Sequence, residues 1–311
     1  MNKKKILITG ANGFVGKNLS YHMMEHYHNK YQIHLPGRHL LDCTNQQNIQ
    51  QYFDFYKPDI VIHLAGKVGG VKANKNAMGD FFYQNAIMSI LLMEECRKRN
   101  VEKFIGLAAG CGYPNNLKPP YREEDFFHGF PEKSSYGYSM AKKNLVTQAM
   151  AYKEQYDFNS TILLPANLYG PHDNFNLEEC HVVPALIKKF CDAVRDGLPT
   201  VEVWGSGLAT RDFLYVEDMV KAIIQSLDIN DVGPFNVGSG REVSIKELAE
   251  IIKEVSGFKG EIRYQMGEPE GQESRYYDMS KFEDTFGYIP DTPLNVGLKK
   301  TVDWYNNNEN N

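Results

Sequence analysis

The chain has 311 residues, 42% hydrophobic and 23% charged, with 34 Lys and Arg against 39 Asp and Glu for a net charge of −5. That length buries a sizeable core as one large domain or two smaller ones, and with no basic block nothing favours nucleic acid or a membrane surface as a partner. Five dispersed cysteines without a CxxC pair argue against a disulfide framework or a zinc site and for a reducing cytoplasm.

The N-terminal "MNKKKILITG" holds only four apolar residues before a glycine turn, too few for a signal peptide. No apolar run approaches the roughly 20 residues that span a bilayer. "KILITG" predicts a strand, "NLSYHMMEHYH" a helix, "YQIHLPG" a second strand, "QNIQQYFDFY" a helix and "PDIVIHLAG" a buried strand. "QNAIMSILLMEECRKRN" predicts a helix, "KFIGLAA" a strand, "SYGYSMAKKNLVTQAMAYKEQY" a long helix and "NSTILLPANLYG" one more strand. Strands rich in Leu and β-branched residues, separated by helices, predict a parallel sheet covered on both faces.

From about residue 171 the loops lengthen. "HVVPALIKKFCDAVRDG" predicts an amphipathic helix, and "TVEVWGSG" and "RDFLYVED" read as strands. "SIKELAEIIKEVSG" predicts a helix opened by a capping box of Ser244 and Glu247. The division expected is a doubly wound dinucleotide-binding domain over 1–170, with a returning segment around 211–240, and a smaller α/β substrate domain over 171–311. The Asn-rich "NNNENN" tail is expected to fray.

"TGANGFVG" sets Gly10, Gly13 and Gly16 between the first strand and the first helix. Glycines there allow a tight turn and close backbone approach, and the helix N-terminus offers N–H groups to a pyrophosphate. The second strand ends in Gly37 and Arg38, with no acid for the ribose hydroxyls of NAD. Arg38 suits the 2′-phosphate of NADP(H), while Asp42 is expected to reach the adenine end. "YSMAK" puts Tyr138 and Lys142 at i and i+4 on one helix face. A lysine cation beside it, with the positive nicotinamide ring when the cofactor is oxidised, is expected to lower the tyrosine pKa toward working pH, for proton transfer to a sugar oxygen.

With "TGANGFVG", "DIVIHLAG", "YSMAK" and "PANLYGP" in this order, the chain resembles the extended short-chain dehydrogenase/reductases, which are Rossmann enzymes. "HLAGKVGGVKAN", "PANLYGPHDNFN", "HVVPALIKKF" and "VWGSGLATRDFLYVEDM" resemble its GDP-L-fucose synthase branch, from residue 5 to about 280. That resemblance implies NADPH-dependent C4 reduction of a GDP-4-keto-6-deoxy sugar, hexose or heptose as in capsule biosynthesis. Epimerisation at C3 and C5 is left open, and dimerisation through two helices of the dinucleotide domain is implied. The catalytic residues would be Tyr138, Lys142, Cys111 and His181. Cofactor contacts would come from Gly10, Asn12, Gly13, Phe14, Val15, Gly16, Arg38, Leu64, Ala65, Gly66, Lys142, Pro165, Asn167, Leu168 and His181. Cys111, Tyr138, Asn167, Lys189, Trp204, Arg211 and Arg275 would hold the substrate.

One stretch departs from the branch. It reads "GSSC-I-YP" where this chain has "AAGCGYP". The hydroxyl beside the tyrosine becomes Ala109, and losing one donor at a developing oxyanion costs on the order of 10²–10³ in rate if nothing replaces it. Either Ala109, Gly110 and Gly112 widen the pocket for a bulkier sugar, or Ser134 or Ser135 supplies the hydroxyl. A 4,6-dehydratase would need an Asp–Glu pair here, and none is present. A C4 epimerase of NDP-sugars would share Tyr138 without needing Cys111 and His181. A catalytically silent nucleotide-sugar-binding protein would tolerate Ala109.

Overall fold

The computed structural model describes residues 3–267 and 272–308. In chain order the first half forms β1 (Lys4–Thr9), α1 (Phe14–His26), β2 (Tyr31–His34), α2 (Gln46–Tyr56), β3 (Ile60–His63), α3 (Val71–Asn76), α4 (Met78–Lys98), β4 (Lys103–Leu107), α5 (Tyr136–Tyr156) and β5 (Ser160–Pro165). Ile6, Leu7 and Ile8, Val61 and Ile62, Phe104 and Ile105, and Ile162 to Leu164 are all fully buried. Consecutive buried residues point to opposite faces of a strand, so both faces are covered.

The second half adds β6 (Asn167–Tyr169), α6 (Val182–Arg195), β7 (Thr200–Trp204), β8 (Thr210–Arg211), β9 (Phe213–Tyr215), α7 (Val216–Gln225), β10 (Phe235–Val237), β11 (Val243–Ser244), α8 (Ile245–Ser256), β12 (Glu261–Gln265), β13 (Ser274–Arg275), α9 (Ser280–Phe286) and α10 (Leu294–Asn308). The main sheet runs β2-β1-β3-β4-β5-β10, with every neighbouring pair parallel. It is a Rossmann-type doubly wound α/β sheet whose strand order reverses at β1, and ligands of such sheets bind outside the carboxyl ends at that point. β10 comes back to this sheet from the second half, and α7 packs on α1. A second apolar core forms around Ile187 and Phe190 of α6, Val201 and Val203 of β7, Leu248 and Ile252 of α8, and Leu298 and Val302 of α10.

Two details differ from the sequence reading and a third matches it in part. The run predicted as one strand over "NSTILLPANLYG" breaks at Ala166. β5 pairs with β10 up to Pro165, whereas Asn167 bonds the Asp212 carbonyl and β6 pairs with β9, so the chain changes sheets within two residues. The Asn-rich tail is helical through Asn308, because buried Leu298, Val302 and Tyr305 anchor α10; residues 309–311 lie outside the described residues. The Ser244 hydroxyl accepts from the Glu247 N–H at 3.0 Å, the Ser half of the expected capping box.

Candidate active site

The turn after β1 closes on itself. Gly10 sits at φ +72°, and a Cβ there would lie 2.5 Å from the Ala65 nitrogen. A Cβ on Gly16 would overlap the Gly10 carbonyl oxygen, and the Gly13 N–H donates to that same oxygen at 3.0 Å. These contacts are backbone on backbone, so only glycine lets β1, Leu64–Ala65 and the start of α1 come together. Gly13 is the N-cap of α1, and no acidic residue occupies the first turn, which includes Phe14 and Val15. The unpaired N–H groups and the positive end of the helix fit a pyrophosphate.

Asn12 reaches toward the tip of β2, where its side-chain nitrogen would meet a Cβ on Gly37 at 4.0 Å. Arg38 is exposed, and its Nε lies 3.7 Å from Asp42 Oδ2. Asp42, expected at the adenine end, is held by its own turn. Its Oδ1 accepts from the Thr44 N–H at 2.9 Å and the Thr44 hydroxyl at 2.7 Å, and these bonds, with Arg38 adding less, hold its carboxyl below the usual range.

Tyr138 and Lys142 lie on the first turns of α5, as their spacing predicts. The Lys142 ammonium is 5.7 Å from the Tyr138 ring centroid and donates to the Leu107 carbonyl at the end of β4, 2.7 Å away. It also approaches Gly66, where a Cβ would be 4.0 Å from Nζ. Burial lowers Lys142 to about 8. Burial pushes the Tyr138 phenol up, and the nearby Cys111 adds to it. Burial thus sets the direction of the Tyr138 shift in the protein alone, and the lowering expected from the lysine together with an oxidised nicotinamide ring concerns the cofactor-bound site.

Cys111 stands in the short 3₁₀ turn Gly110–Gly112 that follows β4. Burial raises its thiol, against a hydrogen bond from Ser139 and the charges of Arg275 and Lys142. His181 is the N-cap of α6; its ring is exposed in the crevice yet surrounded by protein, which lowers its pKa. The segment before it docks on the 67–70 loop, with the Gly70 N–H donating to the Glu179 carbonyl at 2.9 Å. Lys67 of that loop lies over Phe81, and Phe81 packs edge-on against Tyr138. The segment leading to His181 thus joins the tyrosine wall through this loop.

The residues expected to hold substrate fall into two groups. Lys189 on α6 lies 5.1 Å from the centroid of the exposed Trp204 ring and donates to the Glu202 carbonyl. Arg211 and Arg275 are cross-strand partners in β8 and β13. Burial, with Arg275 beside it, lowers Arg211 to about 10. Two guanidinium groups held side by side suit a diphosphate. Asn167 spends its side-chain N–H on the Asp212 carbonyl at 3.1 Å, which steadies the turn carrying Pro165 and Leu168.

The predicted extra room at Gly110 and Gly112 is not there. A Cβ on Gly110 would overlap the Tyr277 hydroxyl, and one on Gly112 would meet the Phe126 ring at 2.5 Å. Both spaces hold aromatic groups from distant segments. Of the two serines named for the second expectation, Ser135 has its Oγ 3.2 Å from Ser139 Oγ.

Two residues near the site escaped the sequence reading. Tyr277 donates to the Pro165 carbonyl at 3.1 Å and carries no local motif. Asp173, in "PHDNF", has a buried Oδ2 without a hydrogen-bond partner, and burial lifts its carboxyl to about 7. Its only sequence signal was its place in the turn after "LYGP".

The chain matches the NAD dependent epimerase/dehydratase family over residues 6–238. It is 36% identical to a GDP-L-fucose synthase of Sinorhizobium fredii over 309 residues, covering 99% of this chain and 97% of the relative. Its fold superposes on a GDP-6-OMe-4-keto-L-xylo-heptose reductase from C. jejuni with a TM-score of 0.90 at 28% identity, covering 99% of each chain. A GDP-mannoheptose C4 reductase from Campylobacter jejuni with NADP bound gives 0.89 at 29% identity, covering 98% of this chain and 99% of the other. With its glycine turn at the strand-order reversal and its tyrosine–lysine pair on α5, this chain belongs to the NAD dependent epimerase/dehydratase family.

Proposed function

We propose that this chain is an NADPH-dependent C4 reductase of a GDP-4-keto-6-deoxy sugar, with proton exchange at C3 and C5 open to the same pocket. The observation that carries this reading is the gathering of Tyr138, Lys142 and Cys111 at the carboxyl edge of the sheet, with Lys142 reaching both Leu107 and the Gly66 side of the glycine turn. Heptose is supported as the sugar by the two Campylobacter neighbours and hexose by the Sinorhizobium relative.

In this reading residues 1–170 and the return over 211–240 carry the cofactor, and 171–311 carry the nucleotide sugar. Gly10 to Gly16 and the α1 N-terminus would hold the pyrophosphate and Arg38 the 2′-phosphate, with Leu64, Ala65, Gly66, Pro165, Asn167 and Leu168 as further contacts to the cofactor. When bound, NADPH supplies the hydride for C4. Tyr138 gives the proton to the C4 oxygen, and its raised pKa keeps the phenol protonated at neutral pH, the form a reductase needs. Lys142 orients it and offsets charge on the phenolate that remains. Cys111 and His181 handle protons alpha to the ketone. Lys189, Arg211 and Arg275 grip the diphosphate beside Trp204. Exposed Phe82, Tyr83 and Ile90 of α4 and Met150 of α5 form the face for a second copy. The five free cysteines fit the cytoplasm.

The test is product NMR in D₂O on a panel of GDP-4-keto sugars with NADPH. The expected result is NADPH consumption with a new C4 hydroxyl, lowered about 10²–10⁴-fold in Tyr138→Phe. If no GDP-4-keto sugar consumes NADPH, the reductase reading fails and the silent sugar-binding reading, which Ala109 favours, takes its place. Ala109→Ser then reports whether the hydroxyl matters: a gain on the 6-deoxyhexose and a loss on the heptose would make position 109 a sugar selector.

A further inference from the structure

The turn that carries Cys111 and the strand that carries Arg275 meet at one hydroxyl. Tyr277 lies two residues past Arg275, the end of β13, and is buried. The chain is extended there. Tyr277 bridges Tyr121 in parallel, the Tyr121 N–H donates to the Tyr276 carbonyl, and the Asp278 N–H donates to the Tyr121 carbonyl, each at 2.9 Å. Residues two apart in an extended segment point to one side, so Arg275 lies on the same side as Tyr277. The Tyr277 hydroxyl is 1.7 Å from where a Cβ on Gly110 would stand, and a Cβ on Gly238 would meet its ring at 3.2 Å. That hydroxyl donates to the Pro165 carbonyl at the end of β5, 3.1 Å away. Burial raises the pKa of the phenol, so it stays a neutral donor. A side chain from beyond β13 thus fills the place that residue 110 leaves open, and holds the turn against β5.

β13 is tied just as closely to the basic pair. Arg275 is the register partner of Arg211 in β8. The Asp212 N–H donates to the Arg275 carbonyl at 3.0 Å, and the Asp212 carbonyl accepts from the Asn167 N–H at 3.0 Å. Arg275 disfavours the charge on Arg211, a cost that an anion between the two guanidinium groups offsets. We propose that Tyr277 is the positioning residue of the Gly110–Gly112 turn, making the placement of Ala109 and Cys111 follow the strand that grips the diphosphate. A nucleoside diphosphate on Arg211 and Arg275 firms the β8–β13 pair, and the Tyr277 hydroxyl passes this to the turn. The coupling rests on the reading of those two arginines as the diphosphate grip. It works in both directions, since a turn held in place favours the diphosphate by the same factor. Gly110 has no side chain with which to anchor the turn from its own side, so the hold comes from Tyr277.

The experiment is iodoacetamide alkylation of the full chain, followed at the Cys111 peptide by mass spectrometry, with and without saturating GDP. GDP has no ketosugar, so the sugar position stays open, and calorimetry reports its binding separately. In the wild-type protein GDP is expected to slow Cys111 alkylation about five-fold, the low end of coupling between two sites. Tyr277→Phe keeps the ring and loses the hydroxyl. There GDP should still bind, while its effect on alkylation shrinks below about two-fold. On a GDP-4-keto sugar the same variant should lower kcat and leave KM nearly unchanged. A GDP effect of wild-type size in Tyr277→Phe overturns the proposal, because it then comes from direct shielding of the thiol. GDP that binds wild type without slowing alkylation also overturns it and leaves the diphosphate grip standing. GDP that does not bind removes the grip itself, and the coupling with it. A raised KM with unchanged kcat makes Tyr277 a binding residue and overturns the positioning role. Should Tyr277→Phe not fold, Tyr277→Leu combined with Gly110→Ser decides. That pair returns a hydroxyl from the turn itself, where the Cβ stands 3.4 Å from the Pro165 carbonyl oxygen, and cuts the link to β13. A GDP effect that persists there overturns the proposal, and its loss supports it.

Discussion

Two glycine-bearing turns follow strands of the same sheet, and their glycines serve different ends. In the cofactor turn, added Cβ atoms at Gly10 and Gly16 would strike Ala65, Leu64, Gly10 and Ala11 backbone. In the catalytic turn, Cβ atoms at Gly110 and Gly112 would strike the side chains of Tyr277 and Phe126. The first pair lets main chain close on main chain, so that helix N–H groups face a phosphate. The second pair gives up its own volume to aromatic groups from elsewhere. A small residue at a strand end is therefore no measure of pocket size until its neighbours are known.

The largest effect that follows is at the cofactor turn. Gly16→Ala should destabilise the protein by about 3 kcal/mol or more, since backbone cannot step aside. Urea denaturation reads this, and no single side-chain truncation should restore it. Gly110→Ala should cost less, about 1–3 kcal/mol, and Tyr277→Phe in the same chain should recover much of that loss by removing the overlapping oxygen. A double-mutant cycle measures the coupling. If Tyr277→Phe recovers nothing, the two turns are alike and the comparison breaks.

Lys142 stands between the turns and gives a smaller effect with a definite pH signature. Its folded pKa of about 8 lies below its ordinary 10.5, so the fold prefers the neutral amine. Between pH 8 and 10.5 the unfolded chain holds more protons, and stability must rise with pH across that window. Below pH 8 both states are protonated and the full penalty is present. Lys142→Met should then be more stable than wild type by about 1–2 kcal/mol at pH 7, allowing for the side chain's partial exposure. That advantage should vanish by pH 10.5 in denaturation curves taken across the range.

The sheet was legible because its strands are uninterrupted apolar runs whose burial on both faces leaves no alternation to misread. The cofactor turn was legible because its partners are local: Gly10, Gly13 and Gly16 act on one another. The catalytic turn was not, since what fills it comes from Phe126 and from Tyr277, more than half the chain away. The break at Ala166 was hidden for the same reason, because the Asp212 carbonyl that draws Asn167 into another sheet belongs to a distant segment. The tyrosine–lysine pair was found from its spacing, but the direction of the Tyr138 shift depends on burial, which spacing does not report.

The smallest expected effect sharpens the cofactor side of the comparison. Arg38 is 75% exposed at its side chain, and its ion pair with Asp42 is 3.7 Å long. Such an exposed pair contributes between nothing and about 1 kcal/mol, and Asp42 is already satisfied by Thr44. Arg38 can therefore turn to a 2′-phosphate at little cost. Arg38→Ala should raise KM for NADPH about ten-fold and leave NADH within about two-fold, the difference of one charge-assisted contact at the surface. Added salt should shrink the wild-type preference toward that of the variant, because the contact is exposed and screened. An NADPH preference untouched by Arg38→Ala would move phosphate selection away from the β2 tip and onto the glycine turn itself, making the first turn responsible for recognition as well as for closure.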